Sequence, residues 1–403
     1  MAGWELPDVP KGLSALFGTA CGIIVANLYY TQPLAGLITA ALGLQKQNAG
    51  LMTTLPLIGY GAGLLMIVPL GDLIENRRLV LWLVALEALC LVLISVAADP
   101  CEFLTLGFFI GVTAAVVQLL VPYSTYLVPE EARGRTLGQV VSGLMLGIML
   151  SRPVSSMIAD LAAWRTVYRF SAALMCLVFL GAYAVLPRRV PSPNLSYAAL
   201  LASLGKIFAK TEILRRRALY HVCLFGSFSA FWTVLPLWLT GPQFQLTQRG
   251  VAWIALAGVA GAIAPPIAAR VADLGLARAG TIAAMSLGAF GFLLSLLARD
   301  SSNLSLGIVV MVAITIDFAV SANLVFGQRA IFMLDPELRS RLNGMYLATF
   351  FAGGAVSAAV SAWIYVHYGW SGVTAFGTLL PLLGVLYVLT ERTRTLALST
   401  QAK

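Results

Sequence analysis

Three ionisable side chains stand inside runs that are otherwise apolar: Glu87, Arg152 and Asp317. Each costs about 2.5–3.5 kcal/mol at the centre of a bilayer, so each demands a partner or a wet cavity. A guanidinium in that position can hold an anionic group through a two-pronged contact. A carboxylate can carry a proton or a cation, or neutralise the guanidinium. Amides and rings accompany them: Asn27 and Tyr30, about one helical turn apart, then Gln118, Trp232 and Asn323. Asn323 is six residues beyond Asp317, roughly 120° around a helix, so both cannot face one cavity squarely. Bond-breaking chemistry has no comparable inventory. The two histidines, His221 and His367, are far apart, and H-E-x-x-H, G-x-S-x-G and the P-loop pattern are all missing. Without a P-loop, ATP is not the driver. "GYGAG" at 59–63 lies inside an apolar run with no strand before it, so it is no nucleotide fingerprint. An enzyme is therefore not expected, nor a cofactor, nor a metal site.

The elements that must position these residues are legible in the composition. Of 403 residues 59% are hydrophobic and 11% charged, and the mean hydropathy is +0.88. A water-soluble domain has nearer half its residues apolar and about a quarter charged. Apolar runs long enough to cross a core about 30 Å thick recur along the whole chain, and they do not alternate as barrel strands would. Twelve spans are predicted, at roughly 12–38, 48–70, 79–98, 103–127, 136–159, 167–187, 218–240, 250–272, 279–298, 304–327, 342–366 and 371–390. The fold class is an all-α membrane protein of two six-helix bundles. The opening "MAGWELPDVPKG" lacks a secretory signal's charged start and cleavage site. The five cysteines sit in or beside apolar runs and read as small fillers rather than a disulfide framework.

Charge fixes the orientation. With the N-terminus in the cytoplasm, 20 of the 26 basic residues fall on cytoplasmic segments, five outside (Lys46, Arg165, Arg169, Arg249, Arg299) and one, Arg152, within a span. That is the positive-inside pattern. It absorbs the net charge of +9, so no nucleic-acid role is needed. The longest loop, 188–217, opens with the turn-rich "RRVPSPN" and continues into a segment that Ser196 could cap. Leu200, Leu201, Leu204, Ile207 and Phe208 share one face of it, away from Lys206 and Lys210. Such a helix lies on a membrane surface. It divides an N-terminal bundle (1–187) from a C-terminal one (218–403).

The two halves repeat. "LGDLIENRR" at 70–78 matches "VADLGLARA" at 271–279, pairing Asp72 with Asp273 and Arg77 with Arg278 at an offset of 201. Further on, Arg135 pairs with Arg341, Gly138 with Gly344, Gly147 with Gly353, Ser151 with Ser357 and Trp164 with Trp370, all at an offset of 206. Duplicated six-span halves mean a carrier with its binding site between them near the midplane. They favour alternating access over a channel.

The hairpin after span two, Val68-Pro-Leu-Gly-Asp72-Leu-Ile-Glu-Asn-Arg77-Arg78, resembles the signature loop of the major facilitator superfamily, roughly G-x-L-A-D-R-x-G-R-R. Val68, Leu73 and Glu75 depart from that pattern, while the Asp and the terminal basic pair are kept. "NLYYTQPL" at 27–34 and "PEEARGRTLG" at 129–138 resemble bacterial arabinose-efflux-permease-like members. The resemblance covers the whole chain. It implies that spans one, four, seven and ten line the cavity, and that a small organic molecule is exported in exchange for protons. The protein would be a monomer of the bacterial inner membrane with both termini cytoplasmic. The antiporter motif of span five ends here in Ser151-Arg152-Pro153 instead of Gly-Pro. The fourth-span Arg of proton antiporters is absent near Gly107.

On this reading Asp72 could cap the start of span eleven near Leu342 and Asp273 the start of span five near Thr136, because a helix N-terminus presents unpaired amides and about half a positive charge. Arg77, Arg78, Arg135, Arg278 and Arg341 could complete contacts that exist only while the cytoplasmic side is shut. The bland alternative is solvated loop charge. For Arg152 the choice lies between an anionic substrate, with import or facilitated passage of an organic anion as the second reading, and a structural pair with a carboxylate. Asp317 and Glu87 are the proton-coupling candidates, Glu87 being better read as an interhelical hydrogen bond on an outer span.

Overall fold

The computed structural model describes residues 12–191, 196–335 and 338–391. Expectations for the first eleven residues, for part of the "RRVPSPN" turn and for 392–403, including the position of both termini, lie outside them. The described chain is helical with no strand. Ten helices are long and apolar enough to cross a membrane. Two more complete twelve spans. Asn76–Ile94 has 19 residues but carries Arg77, Arg78 and Glu87. The long run Arg339–Leu389 is interrupted at Gly369, where φ 66° and ψ −163° is a geometry open essentially to glycine. Span eleven therefore ends at 368 and span twelve starts at 370.

Several boundaries differ from expectation, for local reasons. Span one is two helices, Leu13–Ala26 and Thr31–Leu42. Pro33 has no N–H to give the Tyr29 carbonyl, and Gln32 N bonds that oxygen instead, at 3.2 Å. The turn tightens to three-residue spacing through Asn27, Leu28 and Tyr29. Span eight tightens likewise over Val259–Ile263, just before Pro265 and Pro266. Span five begins at Glu130, not 136, and Thr136 lies in its second turn. Span seven begins at Glu212, inside the segment read as linker. Within that linker, Tyr197–Lys210 is a helix with Ser196 Oγ accepting from Ala199 N, and Leu200 and Leu204 are its buried positions. The end of the molecule bearing this helix is called the linker end, the opposite one the far end.

Lipid offers no solvent to expel from between helices, so close backbone approach has to hold them together. Glycine supplies it in matched places. Gly147 of span five rests on Gly22 of span one, where an added Cβ would overlap the Gly22 carbonyl oxygen. In the other half, Gly226 of span seven rests on Ser357 of span eleven, where an added Cβ would stand 2.6 Å from its Oγ. Spans two and four meet the same way, Gly59 against the Phe108 carbonyl and Gly111 against that of Pro56. Between the halves, Thr54 Oγ1 of span two donates to Ala355 O of span eleven at 2.8 Å. At the far end Arg249 of span eight pairs with Asp160 of span five at 3.2 Å.

Gly147→Ala should therefore destabilise the purified protein by roughly 1–3 kcal/mol, the usual cost of overpacking. Gly134→Ala, on the same helix with nothing within 4 Å, should be neutral or stabilising by up to about 1 kcal/mol. Thermal unfolding in detergent separates them, and equal shifts would rule out the glycine seam.

Candidate functional site

Arg152 projects from span five into the seam between the halves and is 2% exposed. Its Nε donates to Gln32 Oε1 of span one at 2.7 Å. Its Nη1 is 3.8 Å from Asp317 Oδ1 of span ten, an ion pair too long for a charge-assisted hydrogen bond. Asp317 is buried in turn and accepts from the Trp232 indole of span seven at 3.2 Å. Three rings enclose the guanidinium: Trp232 at 4.3 Å, Phe228 at 5.0 Å and Tyr29 at 5.3 Å. Among the described residues, Arg152 Nη2 and Gln32 Nε2 have no partner. Span eight reaches this point by its tightened turn. A Cβ on Gly258 would stand 2.8 Å from Asp317 Oδ2, and one on Gly261 2.8 Å from Asp317 Cβ. Five spans, two from one half and three from the other, thus converge on two opposite charges.

The other candidates occupy separate places. Glu87 is wholly buried and accepts from Asn27 Nδ2 at 2.8 Å, while Ser171 of span six donates to Asn27 Oδ1 at 2.5 Å. Glu87 Oε2 and the Tyr168 hydroxyl are unpartnered among the described residues. Span three is thereby tied to the break in span one. Tyr30, in that break, lines an apolar recess with Gly147, Ser151 and Leu174, away from Arg152. Gln118 donates to the Tyr60 hydroxyl at 3.1 Å, and Tyr60 packs edge-on against Phe351 of the other half. Asn323 bonds His221 Nδ1 at 2.9 Å and so does not join Asp317.

The linker-end charges keep to their own halves. Arg77 donates to the Tyr183 carbonyl at 2.7 Å and lies over its ring. Arg78 pairs with Glu75 at 2.9 Å. Asp273 pairs with Arg329 at the end of span ten, and Arg278 donates to the Val388 carbonyl at 3.5 Å. Arg135 is exposed. The expected cap of span five by Asp273 is not formed, because its carboxylate is engaged by Arg329 and that helix starts six residues earlier. Nor is a cap formed by Asp72, since span eleven has Leu338 as N-cap with no side-chain bond. Asp72 instead faces Ser340, Arg341 and Gly344 across a narrow cleft roofed by Leu200 and Leu204 of the linker helix.

At the far end a cleft of about 800 Å³ separates span one from spans seven and eight. Its lining includes Pro33, next to Gln32, and Pro236, one turn beyond Trp232. Sequence reasoning passed over Gln32, although it stands inside "NLYYTQPL", five residues after Asn27, as a second amide in an apolar run. It also missed Tyr29 and Phe228 as neighbours of Arg152, and His221 as the partner of Asn323.

Two helical halves joined by buried opposite charges, with a cleft leading toward them, define a membrane transporter. The chain belongs to the Major Facilitator Superfamily, whose family model matches residues 15–332. It is 34% identical over 380 residues to an uncharacterized transporter, YgaY, of Escherichia coli O157:H7, covering 94% of this chain and 95% of that one. It is 25% identical over 261 residues to a probable sugar efflux transporter of Helicobacter pylori (strain HPAG1), covering 62% of this chain and 64% of that one. The crystal structure of a point mutant of the nucleoside transporter NupG superimposes with a TM-score of 0.73 at 14% identity over 94% of this chain and 99% of that one, a likeness of fold.

Removing one member of the central pair strands the other, at a cost of about 3–5 kcal/mol. Arg152→Met should lose that much stability, and Arg152→Met with Asp317→Asn should regain most of it. A double-mutant cycle measured by thermal or denaturant unfolding checks this; a coupling near zero would mean that the two charges do not interact.

Proposed function

We propose that the protein is a secondary transporter of the bacterial inner membrane that exports a small organic molecule in exchange for protons by alternating access. The observation that carries this reading is the Arg152–Asp317 pair, 3.8 Å apart and sealed between the halves. A carboxylate held loosely by a guanidinium can exchange that partner for a proton as the halves separate, which ties a titration to a conformational step. The efflux name of the Helicobacter relative supports export. The twenty-to-five distribution of basic residues supports a cytoplasmic linker and termini. The bundles 1–187 and 218–403 would rock about the 188–217 linker as a monomer. Asp72, facing Arg341 across its narrow cleft, would help hold the linker end shut with Arg135 nearby, while Arg77, Arg78, Asp273 and Arg278 would brace the end of their own halves. Asn27, Tyr30, Gln118, Trp232 and Asn323 would shape the substrate path, and Glu87 is the second proton-coupling candidate. A second reading, passage of an organic anion without protons, rests on the unpartnered Nη2 of Arg152.

In energised everted vesicles, some compound of a metabolite and drug panel should partly collapse the pH gradient when the wild type is present, and none should do so with Asp317→Asn. A substrate that counterflows in proteoliposomes yet leaves the gradient intact would favour the second reading. Single cysteines in 197–210 should react with an impermeant thiol reagent only from the cytoplasmic side. Asp72→Asn should remove the attraction of Asp72 for Arg341 that favours a shut linker end, worth up to about 1 kcal/mol for an exposed charge pair. It should raise cavity labelling from the cytoplasm while leaving binding within a few-fold of wild type. Unchanged labelling with lost binding would remove Asp72 from the gate.

A further inference from the structure

Arg152 and Gln32 form a bonded pair in which each keeps an idle NH₂ group, and both residues are almost fully buried, at 2% and 1% exposure. Buried donors without acceptors are costly, and adjacent idle donors of this kind match the two oxygens of a carboxylate. Asp317 does not meet that need. It stands 3.8 Å off and is bonded to Trp232 instead.

What surrounds the donors is aromatic. Beyond Trp232, Phe228 and Tyr29, the rings continue without a gap. Phe228 stacks on Phe225 at 5.3 Å and 22°, and Phe225 meets both Phe350 and Phe351. Phe351 meets Tyr60 across the seam at 4.7 Å. The wall is built from spans one, two, seven and eleven, so separating the halves opens ring faces to whatever enters. The approach is cationic. Lys46 is exposed at the mouth of the far-end cleft, and among the described residues no acidic one lines that cleft. A single sign of charge along an apolar-walled cleft concentrates the opposite ion. The cleft volume of about 800 Å³ suits a small organic molecule.

We infer that the substrate class is an aromatic carboxylate, its carboxylate taken by Arg152 Nη2 and Gln32 Nε2 and its ring stacked on the Phe228–Phe225–Phe351 wall. This rests on the transport reading above and names the substrate of the same site. Asp317 is then the group the substrate replaces at Arg152. A neutral aromatic lacks the anion that the donors require. An aliphatic acid lacks the ring that the wall favours over ordinary apolar surface.

The test uses full-length protein in detergent, with thermal-shift titrations of 2-naphthoate, 2-naphthamide and cyclohexanecarboxylate. Naphthoate should stabilise saturably, and the amide and the aliphatic acid should each need at least tenfold higher concentration. Arg152→Lys keeps a charge for Asp317 but not the planar fork, and should weaken naphthoate at least tenfold. Phe228→Leu should weaken naphthoate several-fold and cyclohexanecarboxylate hardly at all. Equal responses to the three probes, no response to any, or parental affinity in Arg152→Lys would each overturn the inference. Naphthoate that binds as expected but never exchanges across proteoliposomes would defeat the transport reading and leave the site standing. A panel compound that collapses the vesicle pH gradient, in a protein that ignores naphthoate, would defeat the substrate class alone.

Discussion

A guanidinium buried between two helical halves has to be compensated from both of them. Arg152 receives a hydrogen bond acceptor from span one, a counter-charge from span ten and ring faces from spans one and seven. None of these alone repays the loss of water around a charge. The carboxylate has its own requirement, met by the Trp232 indole. The seam between the halves is therefore an electrostatic joint, and its two charges sit on elements that must part if the site is ever to open. A joint of this type stabilises the closed arrangement only while both charges are present and paired. Any anion that reaches Arg152, or any proton that reaches Asp317, changes the balance between closed and open states by its differential affinity for them.

Backbone irregularities allow that convergence. The break of span one ahead of Pro33 places Tyr29 and Gln32 on the seam, whereas Asn27, two residues before Tyr29, turns the other way to Glu87. One broken turn thus addresses two polar clusters, one between the halves and one within the N-terminal half. The tightened turn of span eight brings Gly258 and Gly261 against Asp317, at a separation that leaves no room for a Cβ. Proline downstream and glycine at the contact divide the labour. Proline removes a helical hydrogen bond, and glycine lets the loosened turn approach. The rest of each half is held by glycine seams that keep the helices fixed relative to one another, so that movement is channelled to the seam between halves.

Much of this was legible in the sequence, and what was not has identifiable causes. The spans were readable because lipid imposes length and apolarity on every segment. Arg152 and Asp317 were readable because a charge in such a segment is expensive enough to need a reason. Their mutual proximity was offered only as one possibility, since residues 165 positions apart have no sequence-level link. Gln32 was unreadable for a different reason. One amide in an apolar helix is compatible with packing, and only the break at Pro33 fixes which face it shows. The hairpin charges were readable as a repeated motif, but their partners were not. Asp273 finds Arg329, 56 residues on, through helix ends whose positions depend on tertiary packing. The start of span five was misjudged because "PEEARGR" is too polar for a membrane window and yet makes a sound first two turns outside it, with Glu130 and Glu131 at the N-terminus where the helix dipole favours them.

The contrast between the two charged regions bears on how such a molecule could alternate. At the linker end, Arg77, Arg78, Asp273 and Arg278 each have a partner within their own half, so the halves can part there without stranding any of them. Asp72 and Arg341 face one another across a cleft without bonding, near the surface, at little cost in either position. At the centre the opposite holds, because Arg152 and Asp317 lie in different halves and are sealed from solvent that could stand in for a lost partner. Opening from either end therefore cannot begin with the central pair. It has to bring in water, a proton or an anionic solute before the charges separate. The far-end cleft, lined by Pro33 next to Gln32, approaches the pair from the side on which such a replacement would arrive. Under the proposed alternating access, electrostatics favours entry first and separation second, with occupancy of the site as the trigger for the change of state.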